Sequence, residues 1–189
     1  MVIPTQGRFS EKRRLPWHRQ SSEDVDLYFG QLGGDGLEEL QSASRLILDV
    51  PLLKEIINAM PLPVAVLNEK AQVVLTNRCW DRSVGESTDC LLGARHGELL
   101  GCIRCEDGLD GCGTGRGCGN CGAAISILES QHSRGQVTCE FRLVRRTPDG
   151  PEREDQMVTT TPIQVDGRDF SIFVLHDVDP LVAVEQFSL

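Results

Sequence analysis

The sequence predicts an α+β domain: a five-stranded antiparallel sheet with flanking helices and an N-terminal helical lead-in. Three observations support this. Apolar residues recur at helical spacing between Leu37 and Met60, at strand spacing in two short runs after Pro63, and at strand spacing again in three runs after Gly135. With 189 residues, 40% of them hydrophobic, the chain is long and apolar enough for one globular domain.

The N-terminal part divides into an arm and a lead-in. Residues 1–35 are polar and carry basic and then acidic charge, which predicts a flexible arm. Residues 36–60 predict two helices, because Pro51 fits the first turn of a second one over 52–60. One face of the first helix is predicted from residues at the spacing of successive turns, broadened by two apolar neighbours: Leu37, Leu40, Ser44 and Leu48, with Leu46 and Ile47.

The rest of the chain alternates between strand and helix patterns. "PVAVLN" and "QVVLTN", separated by "EKA", predict a hairpin; "RCWDRSVG" predicts a short helix carrying Trp80. "AAISILESQ" has helical spacing and begins directly after Cys121 and Gly122. Three strands follow, "GQVTCEFRLVRR", "DQMVTTTPIQV" and "RDFSIFVLHDV", with turns predicted at "TPDGPERE" and "DGRD".

Charge and composition exclude several classes of function. A net charge of −9 argues against nucleic acid as a partner, and the basic residues of the first twenty predict only a solvated arm. No apolar run is long enough to span a bilayer or to serve as an export signal, so we expect a cytoplasmic protein without a membrane partner. No phosphate-binding loop, nucleophile elbow or HExxH motif occurs, so we expect no enzymatic activity.

Five of the eight cysteines lie between Gly101 and Gly122: Cys102, Cys105, Cys112, Cys118 and Cys121. In a reducing compartment, clustered thiols bind metal more often than they form disulfides. The same stretch is rich in glycine and poor in large apolar residues, so a bound ion would have to supply the free energy that orders it. Cys79 and Cys139 are interpreted as small core residues, and Cys90 has no assigned role.

The spacing alone leaves the metal and its ligands open. Four thiolates suit zinc and an iron–sulfur cluster equally well. The set Cys102, Cys105, Cys118 and Cys121 reads as two zinc knuckles, each a C-x-x-C pair. His96 precedes the cysteines and is expected to be solvated; the alternative is that it replaces a ligand or donates a hydrogen bond to one. Glu98 is expected to be a surface or capping carboxylate, and His176 an ordinary residue near a strand end.

The order of elements resembles that of a PAS domain, a five-stranded sensory module common in bacterial signalling proteins. The resemblance covers about Leu37 to Asp179 and is carried by "MPLPVAVLNEKAQVVLTN" and "FVLHDVD". Many members close with an Asp-x-Thr turn, whereas this chain has Asp177-Val178-Asp179. The resemblance implies a PAS-like domain over residues 61–179, with a Cys-rich insert at 101–122 and a C-terminal tail at 180–189.

"GELLGC", "GCG" and "CGNCG" are similar to a cysteine-rich PAS variant of bacterial histidine kinases and regulators. Matched residue by residue, the pattern selects Cys102, Cys112, Cys118 and Cys121 as ligands and leaves Cys105 as a spare thiol. The resemblance implies a 4Fe–4S cluster that reports redox state, oxygen or iron to a separate histidine kinase or regulator of a two-component system. It also implies a homodimer. The alternatives are a zinc-stabilised interaction domain without redox sensing and a small electron carrier.

Overall fold

The structure is a computed structural model that describes residues 33–84, 88–108, 111–115, 118–147 and 149–177. Most of the predicted arm and the whole predicted tail lie outside these residues. The described part is an α+β fold in which helices flank one five-stranded antiparallel sheet, so the predicted fold class is confirmed. No helix among the described residues combines the length and the apolar character needed to cross a bilayer.

The lead-in consists of α1 (Leu37–Leu48) and α2 (Leu53–Ala59). The buried stripe of α1 is Leu40, Ala43 and Ile47, whereas Leu37 is 62% and Leu48 40% exposed. The face predicted from the sequence is therefore buried at Leu40 and Ile47 but exposed at Leu37 and Leu48. It omitted Ala43, a small buried residue on the side of the helix that contacts β2. The second helix begins one residue later than predicted, since Leu52 adopts a left-handed conformation with φ of 64°.

The sheet has the order β2-β1-β5-β4-β3, with every neighbouring pair antiparallel. Its strands are β1 (Val64–Asn68), β2 (Val73–Thr76), β3 (Val137–Thr147), β4 (Gly150–Val165) and β5 (Arg168–Asp177). The predicted turn "TPDGPERE" is too long, because β4 already begins at Gly150. Cross-strand ion pairs such as Arg142–Asp155, at 2.7 Å, let charged residues extend this hairpin into solvent.

Both faces of the interior strand β1 are buried. Val64 and Val66 pack with the lead-in helices, whereas Ala65 and Leu67 pack in a second core with Trp80 and with α6 (Gly122–Ser133). Among the described residues between β2 and the cysteine-rich segment are three short helices: α3 (Arg78–Val84), α4 (Thr88–Leu91) and α5 (His96–Leu99). The cysteine-rich segment thus runs between α5 and α6, beside the second core.

Candidate metal centre

The cysteine-rich segment is attached to the outer edge of the sheet. Its first part forms a 3-10 helix (Ile103–Asp107), and Cys102 makes an antiparallel bridge to Arg145 of the edge strand β3. An ion pair between Glu106 and Arg146, at 2.9 Å, adds a second contact to the same strand. The edge strand therefore gains local backbone pairing, and the segment is anchored against a rigid element.

All five clustered cysteines line one cavity of about 80 Å³. Two of the four predicted ligands, Cys112 and Cys118, are buried, and Cys102 and Cys121 are partly buried. The spare thiol, Cys105, lines the same cavity. The remaining wall combines Gly97, one imidazole, three apolar side chains and three polar or charged residues: His96, Leu100, Phe141, Leu143, Arg104, Asn120 and Arg142. The fold thus brings together every cysteine that the sequence analysis proposed.

Cys112 is held by residues 95–98, which include the short helix α5. Its N–H donates to Glu98 Oε1 at 3.0 Å, and its carbonyl accepts from Arg95 Nη1 at 3.0 Å. Its Sγ accepts from the Gly97 N–H at 3.2 Å and lies 3.4 Å from His96 Nε2. Glu98 also accepts the Arg95 N–H at 2.8 Å, which confirms its predicted capping role.

Gly97 provides the room for two of the sulfurs. A Cβ at this position would lie 2.5 Å from Cys112 Sγ and 2.8 Å from Cys105 Sγ, distances that atoms in contact do not reach. The absence of a side chain therefore lets two thiols approach the helix backbone, where N–H groups can donate to sulfur. Gly97 therefore leaves space that two cysteine sulfurs occupy, and this indicates that the cavity suits a group bound through cysteine.

Burial and contacts between thiols raise the pKa values of three cysteines of the cavity, Cys102, Cys105 and Cys118. Contact with the Cys105 thiol, followed by burial, raises the pKa of Cys102, and burial raises that of Cys118. At Cys105, contact with Cys102 lowers the pKa. Contact with Cys112 and burial raise it by a larger amount, so the pKa lies above its ordinary value. These thiols favour the protonated form because charged sulfur lacks solvent there. A bound cation would reverse that preference.

The pKa of Cys121 is shifted in the opposite direction to those of Cys102, Cys105 and Cys118. Burial raises the pKa of Cys121. The His96 imidazole and the backbone N–H groups of Ala124 and Ala123 together lower it by a larger amount, so the pKa lies below its ordinary value. The two N–H groups belong to the first turn of α6, for which Cys121 is the residue preceding the helix. Hydrogen-bond donors at a helix N-terminus favour a thiolate, the form in which cysteine binds metal.

The donor set fits a soft metal group, although the sulfurs do not surround a single point. Within the described ranges, no three Cys, His, Asp or Glu side chains are close enough together to form a closed metal site. Five sulfur donors nonetheless face one cavity, and Gly97 keeps space for them. Coordination would require the cysteine side chains to turn further inward around the bound group.

Of the remaining candidate residues, His96 belongs to this centre and the others lie outside the cavity. His96 is 2% exposed, so the expectation that it is solvated is wrong; the cavity wall and the ring of Phe173, 6.0 Å away, enclose it. Cys79 is partly exposed and Cys90 exposed, and neither is a core residue. Cys139 is also only partly buried, with its pKa raised to about 11 by burial. His176 lies on β5 as expected, 3.0 Å from Thr159 Oγ1.

Two residues of the centre could not be identified from the sequence, for different reasons. Gly97 appeared only as one letter of "GELLGC", and nothing local shows that sulfurs approach it. Arg95 is 5% exposed and binds the Cys112 carbonyl, although arginine is rarely buried. The one usable signal was Glu98, three residues after Arg95, at the spacing of a helix-capping box.

No protein-family model matches the sequence, and no curated protein matches it. Solved structures of PAS and LOV domains do match the fold. A PAS domain from a two-component sensor histidine kinase is 17% identical, with 68% of this chain and 96% of that chain covered and a TM-score of 0.43. The PAS domain of nitrogen regulation protein NR(II) from Vibrio parahaemolyticus is 14% identical, with 68% and 100% covered and a TM-score of 0.47.

A LOV protein from Rhodobacter sphaeroides is 15% identical, with 70% of this chain and 68% of that chain covered and a TM-score of 0.47. At these identities the likeness concerns the arrangement of the backbone, and what those proteins do is not carried over to this chain.

Proposed function

We propose that the chain is a PAS-type sensor module whose cysteine cavity binds a 4Fe–4S cluster and reports redox state, oxygen or iron. The observation that carries this proposal is the convergence of five cysteines on one cavity of about 80 Å³. Clustered sulfur donors without a disulfide partner are typical of metal or cluster binding. We propose Cys102, Cys112, Cys118 and Cys121 as the ligands, with Cys105 as an additional thiol.

The surroundings of the sulfurs support a redox-active group. Cys112 Sγ accepts the Gly97 N–H, and N–H groups of the first turn of α6 lower the pKa of Cys121. Hydrogen bonds to cluster sulfurs, burial and solvent access are the means by which proteins set the potential of an iron–sulfur cluster. When bound, such a cluster supplies one-electron redox chemistry and sensitivity to oxygen. The residues described here hold its ligands and limit solvent access.

Zinc is the second candidate, favoured by the position of Cys105. This thiol lines the cavity and contacts both Cys102 and Cys112, so the two-knuckle set Cys102, Cys105, Cys118 and Cys121 is also available. Closed zinc sites of four thiolates are structural and stabilise the fold without redox chemistry. In that case the domain would be an interaction module.

The proposal extends to the way in which a signal leaves the module. No catalytic motif is present, so the chain would act without enzymatic activity, through a separate histidine kinase or regulator in the cytoplasm. Apolar side chains of the lead-in helices remain exposed, among them Leu52 at 67% and Ile56 at 59%. We propose that they pair two copies of the chain into a homodimer.

Elemental analysis of protein purified without oxygen tests the proposal. We expect about four iron atoms and four acid-labile sulfides per chain, and little zinc, as a 4Fe–4S cluster requires. The variant Cys90→Ser serves as a control, because Cys90 is exposed and outside the cavity. One zinc per chain without iron or sulfide would overturn the cluster and support the interaction module. Absence of both metals, in wild type and after anaerobic reconstitution, would overturn both candidates.

A further inference from the structure

A buried arginine joins the cysteine cavity to the segment that directly precedes the lead-in helices. Arg95 Nη1 donates to the Cys112 carbonyl at 3.0 Å, and Nη2 donates to the Gly33 carbonyl at 2.8 Å. The side chain is 5% exposed. A guanidinium group has five N–H donors on a rigid planar frame, so it can connect two backbone segments in a fixed relation, which a flexible lysine cannot do.

The two ends of this connection lie in different parts of the molecule. Cys112 contributes a sulfur to the cavity and is held by residues 95–98 through its N–H, carbonyl and Sγ. Gly33 lies in residues 33–36, which lead directly into α1 and are called the N-terminal segment below. The first hydrogen bond of that helix runs from the Leu40 N–H to the Gly36 carbonyl at 3.0 Å. Arg95 therefore contacts both the backbone of a cysteine that lines the cavity and the segment that leads into α1.

The N-terminal segment has a second anchor, on the β1–β2 hairpin. The Asp35 N–H donates to Gln72 Oε1 at 2.7 Å, and the Asp35 carboxylate pairs with Lys70 at 2.6 Å. Asn68 Nδ2 donates to the same carboxylate at 3.0 Å. These contacts hold the segment to the hairpin, and Gln72 of that hairpin also forms an antiparallel β-bridge with Arg95. The Arg95 side chain adds a direct connection from the segment to the Cys112 carbonyl.

We propose that Arg95 is a positioning residue that couples the cysteine cavity to the lead-in, so that a change of state at Cys112 shifts the order of α1. The inference rests on the proposed function only in taking the cavity as the place where the state changes. The physical basis is direct: movement of the Cys112 peptide moves or breaks its hydrogen bond to Nη1, and the same rigid group holds Gly33. Such coupling is reciprocal, because it is a free energy shared by the two sites.

A cycle of two substitutions tests the coupling without requiring any metal. Gly97→Ala disturbs the cavity end, because the added methyl would lie 2.5 Å from Cys112 Sγ. Arg95→Met removes the connection while keeping an extended side chain. The readout is hydrogen exchange of the Leu40 amide, measured by NMR in reduced protein of the wild type, each single variant and the double variant. Gly135→Ala is the matched control, because its added Cβ would make only ordinary contacts at 3.4 Å or more.

We expect Gly97→Ala to accelerate exchange at Leu40 about fivefold or more when Arg95 is present, and less than about twofold in the Arg95→Met background. Gly135→Ala should leave this exchange unchanged in both backgrounds. An equal effect of Gly97→Ala in both backgrounds, or none in either, would overturn the coupling and leave the hairpin as the anchor of the lead-in. If Gly97→Ala does not fold, Cys112→Ser replaces it as the substitution in the cavity. An effect on Leu40 exchange that depends on Arg95 then supports the coupling, and an effect that does not depend on Arg95 overturns it.

Metal content measured on the same samples separates this inference from the proposed function. Coupling in protein that binds neither iron nor zinc would support the inference while overturning the function. A protein that binds metal, but in which Gly97→Ala changes Leu40 exchange equally with and without Arg95, would support the function and overturn the inference.

Discussion

At the scale of single residues, Cys112 is bound through every polar atom it has. Its N–H contacts Glu98, its carbonyl contacts Arg95, and its Sγ accepts from Gly97 and lies beside His96. The sulfur of Cys105 also lies next to Gly97, but Cys105 is only partly buried whereas Cys112 is buried. This difference favours Cys112 as a fixed ligand and Cys105 as the additional thiol, in agreement with the ligand set implied by the PAS resemblance.

Single serine variants of the two thiols distinguish the ligand sets. We expect Cys112→Ser to lose most of the bound metal, because a ligating thiolate supplies both charge and geometry, and Cys105→Ser to retain nearly all of it. The measurement is metal per chain after anaerobic purification. The opposite pattern, with Cys105 essential and Cys112 dispensable, would contradict this ligand set and favour the two zinc knuckles.

Gly97→Ala should empty the cavity of metal while leaving the fold intact. The added methyl group competes with Cys112 Sγ and Cys105 Sγ for the same space. We expect at least half of the bound metal to be lost, with the far-ultraviolet circular dichroism spectrum unchanged, and no loss in the control variant Gly135→Ala. Full metal content in Gly97→Ala would show that the two sulfurs do not need this space.

The residues that define the centre differ in how far the sequence reveals them. The cysteines could be predicted, because five thiols between Gly101 and Gly122 are informative by themselves. His96 and Arg95 could not, because each is buried only through contacts with residues distant in the chain. A histidine in a polar stretch has the same local pattern whether it is solvated or enclosed.

At the scale of elements, the position of Cys121 depends on how α6 packs against β3. The helix begins at Gly122, and a Cβ at that position would collide with the backbone carbonyl of Glu140 on β3. A glycine at the first position therefore brings the helix start close to the edge strand. The same approach fixes Cys121 at the wall of the cavity.

Gly122→Ala is accordingly expected to destabilise the fold, by about 1–3 kcal/mol for overpacking at a buried contact. The helix would have to move away from β3, since the obstacle is backbone and not a flexible side chain. Urea unfolding followed by circular dichroism measures the change, with Gly135→Ala as control. Equal unfolding midpoints for Gly122→Ala and the wild type would contradict the tight packing of α6 on β3.

The elements themselves were predicted well where periodicity decides, and less well where packing or charge decides. The hairpin β1–β2, α3, α6 and the last three strands follow from spacing, and the structure confirms them. The start of β4 was missed because "PERE" is charged and resembles a loop, whereas its residues pair across to β3, for example Arg153 with Val144. The buried face of α1 was misjudged because Ala43, not a large residue, lies at its centre.

At the scale of the whole molecule, the exposed apolar side chains of the lead-in predict a homodimer. Ile56→Glu should convert it to a monomer, because a charged side chain cannot be buried in such an interface without a partner. Light scattering at micromolar concentration is the measurement. Lys54→Glu is the control: it changes charge on the same helix α2 without removing apolar surface, so we expect it to remain dimeric. A monomeric wild type would contradict the prediction.

The central claim is that the cavity holds a redox-active cluster, and the visible absorption spectrum of protein purified without oxygen tests it most directly. Thiolate ligation of iron and sulfide produces broad absorption across the visible range, whereas zinc has a filled d shell and adds no colour. The account predicts a brown protein whose absorption decreases on reduction or on exposure to air. A colourless protein containing one zinc per chain would contradict it.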